Sequence, residues 1–214
     1  MQKQDTRAKS MDSQCAIILL GAGLSSRLNG EQKIVKTYKG ETLLFYSLKA
    51  CLNAFDTILV VGHQKDLVIA DAERILQNNT FPHKLTIVQN ENYKDGQYSS
   101  IQAGIRALKD MNQTEPFAIM TGDVPFVKSS DFITLFDKLG DSDVIRPFVN
   151  GVPCHPVILN TKMMDFILSH SDVTNVRDLL QKYKGILRIN SYPYTQNDKL
   201  TNDFDVKENF ETEF

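Results

Sequence analysis

The residues best suited to chemistry begin with a glycine-rich segment that also carries hydroxyl and basic side chains. It contains Gly21, Gly23, Ser25, Ser26, Arg27 and Lys33. Glycines let a backbone approach a ligand closely and expose N–H groups to phosphate oxygens. The guanidinium of Arg27 and the ammonium of Lys33 can neutralise phosphate charge. The segment therefore indicates a polyphosphate-binding loop, with an ordinary turn carrying two solvated cations as the alternative.

Two common phosphate-binding motifs do not fit this segment. A dinucleotide fingerprint requires a third glycine where Ser26 stands, and an acidic residue after the second strand, where the chain has Gly62-His63. A P-loop requires Ser or Thr after its lysine, but Ile34 follows Lys33. These differences argue against a dinucleotide-dependent oxidoreductase and against a P-loop nucleotide hydrolase.

Acidic residues in two other segments are candidate metal ligands. Asp123 precedes Val124-Pro125, and the proline favours an extended conformation for Val124, which places Asp123 at the end of a strand. Asp203 and Asp205 alternate in a polar segment, and in a strand both carboxylates would lie on one side, where one of them could face a metal. A turn-forming role for Asp123 and a solvated acidic segment around Asp205 are the alternatives.

His155 lies between Cys154 and Pro156, and no second Cys–His pair completes a zinc site. If the segment is a strand, Cys154 and His155 point to opposite faces. A contact with a ligand and a structural role at the start of a strand are both open for His155.

The elements that must position these residues alternate between short apolar runs and amphipathic ones. This order predicts a three-layer α/β/α protein with a mostly parallel sheet, whose ligands lie beyond the carboxyl ends of the strands. The predicted strands are 16–20, 57–61, 85–88, 117–120, 144–145, 157–159 and 186–189. The predicted helices are 42–55, 65–77, 98–109, 132–139, 163–168 and 176–183.

Composition narrows the class of protein. The 214 residues carry a formal net charge of -2, which offers no general attraction to nucleic acid or to anionic membranes. Three widely spaced cysteines and the lack of a long apolar run favour a cytoplasmic protein with free thiols. We expect residues 1–14 to form a flexible extension. Residues 15–214 should then form one domain, with a nucleotide-binding half over 15–126 and an acceptor-binding half over 127–214.

Several segments together resemble the molybdopterin nucleotidyltransferases, and within them the molybdenum cofactor cytidylyltransferases. Leu20-Gly21-Ala22-Gly23-Leu24-Ser25-Ser26-Arg27-Leu28 with Lys33 resembles the family's glycine-rich signature, and Thr121-Gly122-Asp123-Val124-Pro125 its D-x-P motif. The other similar segments are 92–101, 150–157, 173–177 and 202–205. The matches occur in order over residues 16–210.

The resemblance implies a nucleotide-diphospho-sugar transferase-like fold and transfer of CMP or GMP to molybdopterin with Mg²⁺, or with Mn²⁺ as the alternative ion. It implies that Arg27 and Lys33 hold phosphates, that Asp123 and Asp205 bind the metal, and that His155 lies near the acceptor. The residues implied to bind the nucleotide are Leu20, Gly21, Ala22, Gly23, Ser25, Ser26 and Ser100. Ala22 stands where the cytidylyltransferases tend to have alanine, which favours CTP.

Some positions depart from the family pattern. Leu28-Asn29 replaces Met-Gly, Cys154 replaces a glycine, and Val206-Lys207 replaces a late Thr-Pro. Two alternatives therefore accompany the main prediction: transfer to another small phosphate, such as methylerythritol phosphate or a sugar phosphate, and a nucleotide-binding regulator without turnover. Both a monomer and a homodimer are compatible with the sequence.

Overall fold

In a computed structural model, residues 15–23 and 31–201 are described, and their sheet runs through both predicted halves of the chain. The strands are β1 (Ala16–Gly21), β2 (Thr37–Tyr38), β3 (Glu41–Thr42), β4 (Asp56–Val61), β5 (Leu85–Gln89), β6 (Phe117–Thr121), β7 (Val144–Val149), β8 (Val152–Pro153), β9 (Val157–Leu159) and β10 (Ile189–Pro193). The α-helices are α1 (Leu43–Leu52), α2 (Lys65–Asn78), α3 (Gln97–Asp110), α4 (Ser129–Asp137), α5 (Met163–Ser169) and α6 (Val176–Lys182).

The main sheet has the order β10-β7-β9-β6-β1-β4-β5, with β8 paired to β7. Its strands are parallel except β9, which is antiparallel to β6 and β7, and β8. The carboxyl ends of β1, β4, β5 and β6 therefore meet at one edge. Because β9 runs in the opposite direction, its first residue, Val157, lies towards that same edge, opposite Ile119 of β6.

Two apolar layers enclose the sheet and confirm the predicted three-layer α/β/α class. Strand β1 is buried along its whole length, and its side chains alternate between the layers. Ile17 and Leu19 pack in the layer with α1, α2 and α4, whereas Ile18 and Leu20 pack in the layer with α3, α5 and α6. This is the period of two that a central strand requires.

Most predicted elements are present, with differences at their ends. Thr42, the first residue of the helix predicted over 42–55, caps α1, because its Oγ1 accepts a hydrogen bond from the Phe45 N–H at 3.1 Å. The strand predicted over 186–189 was wrong in its bounds, since β10 is Ile189–Pro193 and Ile186 is exposed. Strand β7 continues past the predicted 144–145 through Arg146 and Pro147, which interrupt the apolar pattern.

Among the described residues, no helix combines the length and apolarity needed to span a bilayer.

Candidate active site

Lys33 and Asp123 form an ion pair at the carboxyl edge of the sheet. Asp123 follows the end of β6 by one glycine, and Lys33 begins a single 3-10 turn, Lys33–Val35. The Lys33 Nζ donates to Asp123 Oδ2 at 2.8 Å, and the two side chains are 11% and 24% exposed. The structure thus brings together two residues that lie 90 positions apart in the chain. Arg27, the other predicted cation, lies outside the described residues.

Close backbone packing makes this contact possible. The Gly122 N–H donates to the Leu20 carbonyl at 3.0 Å, and its carbonyl accepts from Ser47 Oγ at 2.9 Å. A Cβ atom at Gly122 would stand 3.1 Å from Ile34 Cγ2 and 3.3 Å from the Leu20 oxygen. Glycine therefore lets the segment that carries Lys33 lie directly against the loop that carries Asp123.

Gln32, for which the sequence predicted no role, holds the same segment in place. Its buried side chain donates through Nε2 to the His63 carbonyl at 2.8 Å and to the Gly21 carbonyl at 3.4 Å. Its N–H donates to Gln64 Oε1 at 2.9 Å. Gln32 thereby links the ends of β1 and β4 next to Lys33, a set of contacts that no local sequence signal reveals.

The electrostatics of the site keep Asp123 ionised. Burial by itself raises the pKa of Asp123, but the charge and hydrogen bond of Lys33, with help from Thr121 and His155, outweigh it and lower the pKa. Burial lowers the pKa of His155, against the opposing effect of Asp123. The site thus combines an ionised carboxylate, a lysine ammonium and an imidazole that favours its neutral form.

His155 lies in the loop between β8 and β9 and not in a strand, so the predicted alternation of Cys154 and His155 across a strand does not apply. Its Nδ1 lies 3.4 Å from the Ile119 carbonyl, which can only accept a hydrogen bond. Cys154 is buried and its N–H donates to the Pro147 carbonyl at 2.9 Å.

The predicted nucleotide-binding residues that are described lie at the ends of β1 and α3. Leu20, Gly21 and Ala22 are buried, whereas Gly23 is exposed. Ser100 is also buried, and its Oγ accepts from Asn90 Nδ2 at 2.9 Å. Ser25, Ser26 and Asp205 lie outside the described residues. The roles given to all these residues stay predictions.

A cavity of about 480 Å³ opens beside Asp123. It is lined by Gln97, Ile101, Ile119, Thr121, Asp123, Arg146, His155, Val157, Thr174, Asn175, Val176, Arg177 and Asp178. The sequence predicted no role for Arg146, and Arg177 stood out only as part of the 173–177 segment that resembles the family. Both are placed here by the pairing of distant strands and by the packing of α6, which no short motif encodes.

Within the described ranges 15–23 and 31–201, no three His, Cys, Asp or Glu side chains cluster as a metal site. A fully protein-built site is not needed for Mg²⁺, which typically takes one or two carboxylates and completes its shell with water and substrate phosphate. The ionised, half-buried Asp123 at the edge of the cavity has the donor chemistry for such a site.

Comparison with known proteins identifies the family of this chain and solved structures with a similar fold. Residues 17–186 match the MobA-like NTP transferase domain. The chain is 26% identical over 163 residues to the molybdenum cofactor cytidylyltransferase of Escherichia coli, covering 76% of this chain and 79% of that protein. It is 30% identical over 141 residues to a probable molybdenum cofactor guanylyltransferase of Bacillus cereus, covering 65% of this chain and 64% of that one.

Solved structures with similar folds share less sequence. The 4-diphosphocytidyl-2C-methyl-D-erythritol synthase of Anaerococcus prevotii superposes with a TM-score of 0.69 at 14% identity, covering 93% of this chain and 95% of that one. The Rv0371c protein of Mycobacterium tuberculosis, in complex with manganese, gives a TM-score of 0.63 at 14% identity, covering 92% and 96%. At this identity the similarity shows the fold alone.

Proposed function

Because the chain belongs to the MobA-like NTP transferase family, it is a nucleotidyltransferase, and we propose that it transfers CMP from CTP to a phosphorylated acceptor of the molybdopterin type. The observation that carries this proposal is the contact between Lys33 and Asp123 beside a cavity of small-molecule size. The resemblance drawn from the sequence motifs is confirmed at the level of the family. The nucleotide, the acceptor and the metal belong to the proposal.

The reaction requires positioning and charge neutralisation more than covalent chemistry. An oxygen of the acceptor phosphate forms a bond to the α-phosphorus of the nucleotide. The bond from that phosphorus to the bridging oxygen breaks, and pyrophosphate leaves with the electron pair. In this reaction Asp123 would hold Mg²⁺, which supplies positive charge at the phosphate oxygens when bound.

Lys33 has a second role in this scheme. Without ligand its ammonium neutralises Asp123. If Asp123 held a cation, the ammonium of Lys33 would be free to neutralise charge on the departing pyrophosphate. Arg27 would act with Lys33 there, and Asp205 would be the second metal ligand; both assignments rest on the family resemblance.

The preference for CTP rests on Ala22 and on the cytidylyltransferase relative. Ala22 is 3% exposed, and a Cβ atom on Gly62 would stand only 2.9 Å from its methyl group. The methyl group therefore lies close against the end of β4 in the region proposed to read the base. The guanylyltransferase relative makes GTP the alternative to test.

A pyrophosphate-release assay tests the proposal. The full chain would be incubated with CTP, GTP or UTP, with Mg²⁺ or Mn²⁺, and with molybdenum cofactor, methylerythritol phosphate or a sugar phosphate. We expect the highest kcat/KM with CTP and molybdenum cofactor. Pyrophosphate release with a different acceptor would reassign the substrate, whereas nucleotide binding without release for every acceptor would favour a regulator and refute the transferase assignment.

A further inference from the structure

Two arginines from different elements line the cavity beside Asp123. Arg146 belongs to β7, and extending the β7–β9–β6 register by one residue places it level with Val157 and Ile119, which line the same cavity. Arg177 is the second residue of α6. Residues of β7, of α6 and of the β6–β9 pair therefore line one cavity. Two of these residues, Arg146 and Arg177, carry a full positive charge.

The start of α6 is held firmly in this position. The Tyr98 N–H at the beginning of α3 donates to the Thr174 carbonyl at 3.2 Å. The Asn175 side chain caps α6 by accepting from the Asp178 N–H at 2.9 Å. The backbone at the cavity-lining end of α6, which carries Arg177, is thus tied to the start of α3.

The acidic residues of the cavity are engaged by other partners. Asp178 Oδ2 accepts hydrogen bonds from Thr174 Oγ1 at 2.7 Å and from Asn175 Nδ2 at 2.9 Å. Asp123 is held by Lys33. Within the part of the chain that the structure describes, neither Arg146 nor Arg177 forms an ion pair with a carboxylate.

Arg146 in particular has hydrogen-bonding capacity that the described chain does not use. Its Nε is buried and has no hydrogen-bond partner, and its guanidinium carbon lies 6.0 Å from the centre of the Phe148 ring. Burial and the charge of Arg177 both lower the pKa of Arg146. A buried donor without an acceptor, next to a second positive charge, is destabilising. A bound anion would relieve both costs.

We propose that Arg146 and Arg177 form the binding site for the phosphate monoester of the acceptor, a proposal that rests on the transferase function above. A phosphate monoester carries nearly two negative charges at neutral pH, and a guanidinium can bind two of its oxygens at once. Held beside Asp123, the phosphate presents a remaining oxygen to the α-phosphorus. The arginines bind and orient the nucleophile and transfer no proton.

The direct test is a titration with inorganic phosphate, followed by ³¹P NMR. The full-length protein is first saturated with Mg²⁺ and the α,β-methylene analogue of CTP, which occupies the nucleotide side and cannot react. Arg146→Gln and Arg177→Gln should each weaken phosphate binding by about 10- to 100-fold, as expected for the loss of a charge-assisted hydrogen bond. Arg106→Gln, at an exposed position of α3 away from the cavity lining, is the matched control and should bind like the wild type.

A kinetic readout separates a binding role from a structural one. In the pyrophosphate-release assay, Arg146→Gln should raise the KM for the acceptor by a similar factor and leave the KM for CTP unchanged. Arg146→Lys should recover only part of the loss, because an ammonium cannot reproduce the planar fork. If Arg146→Gln does not fold, the exposed Arg177→Gln variant carries the test.

The outcomes distinguish this inference from the proposed function. Wild-type phosphate affinity in both glutamine variants overturns the arginine site, whatever the enzyme transfers. Failure of the wild type to bind the nucleotide analogue refutes the proposed function, and the phosphate titration without nucleotide then decides the arginine site by itself. A rise in the KM for CTP equal to that for the acceptor also overturns it, because the arginines would then serve the nucleotide.

Discussion

Replacing Lys33 by methionine tests the central contact of the site in two independent ways. Methionine keeps a long apolar side chain and removes the ammonium that donates to Asp123 at 2.8 Å. The substitution should therefore affect stability through the ligand-free ion pair, and turnover through the charge that neutralises the phosphates.

The two magnitudes follow from the burial of the pair. Breaking a fully buried ion pair typically costs 3–5 kcal/mol, whereas exposed pairs contribute about 1 kcal/mol or less. With the side chains 11% and 24% exposed, we expect Lys33→Met to lower the unfolding free energy by about 2 kcal/mol. Loss of a charge-stabilising donor in the transition state costs roughly 3–4 kcal/mol, so kcat should fall about 100- to 1,000-fold.

The pH dependence of the unfolding free energy distinguishes loss of the ion pair from loss of packing around Lys33. In the wild type the lowered pKa of Asp123 stabilises the fold above its unfolded value of 3.8, and this contribution is lost as the pH falls through the lower folded value. Burial raises the pKa of Asp123, and Lys33 is the main group that offsets this effect. Without Lys33, the pKa of Asp123 in the folded state therefore rises. The acid-induced loss of stability assigned to Asp123 should then shrink or disappear.

Urea unfolding from neutral pH into the acid range measures the first effect, and steady-state pyrophosphate release measures the second. Lys36→Met is the matched control, because Lys36 is 38% exposed and pairs with the exposed Glu31. It should change stability by less than about 0.5 kcal/mol. A Lys33→Met variant with wild-type kcat, or with an unchanged acid profile, would refute the role assigned to the pair.

Three further predictions concern Asp123, His155 and the buried amide of Asn197. Asp123→Ala should abolish pyrophosphate release and weaken Mg²⁺ binding measured by calorimetry; wild-type turnover would remove Asp123 from the site. His155→Gln should flatten the loss of unfolding free energy below about pH 6.5. A histidine whose pKa is lowered in the folded state stabilises the fold above its unfolded-state pKa. That contribution is lost at lower pH, because the unfolded chain takes up the proton first. Asn197→Ala should cost about 1–3 kcal/mol in urea unfolding, because buried Asn197 donates to the Phe126 carbonyl and to Asp131 at 2.8 Å each. Asn53→Ala, which removes only an exposed bond to the Lys49 carbonyl, is its control and should cost much less.

The central part of the fold could be predicted because its signals are local. Strand β1 is a short apolar run that ends at a glycine, and α1 begins with a threonine cap followed by apolar residues at helical spacing. The repeated order of strand and helix then implies parallel neighbours whose carboxyl ends share one edge. The sequence therefore predicts that Lys33 and Asp123 lie at the same edge.

The side of the cavity that His155, Arg146 and Arg177 line could not be predicted in the same way, because these residues are brought together by long-range pairing. Strand β9 has only three residues, and its antiparallel insertion between β6 and β7 cannot be inferred from a pattern that short. Arg146 and Pro147 interrupt the apolar run of β7, so the local pattern ends the strand too early. Gln32 is similar: its partners, Gly21 and His63, are distant in sequence and offer only backbone carbonyls.

The reversed direction of β9 explains why both halves of the chain contribute to one site. A parallel strand in that position would begin at the far edge, and the loop before it would place His155 away from Asp123. Because β9 is antiparallel to β6, the loop that carries His155 lies at the carboxyl edge, where His155 and Asp123 influence each other's pKa. The same pairing sets Arg146 level with Ile119 across β9. Strands β1, β4 and β6 therefore define the edge of the sheet, and one inverted strand brings the second half of the chain to it.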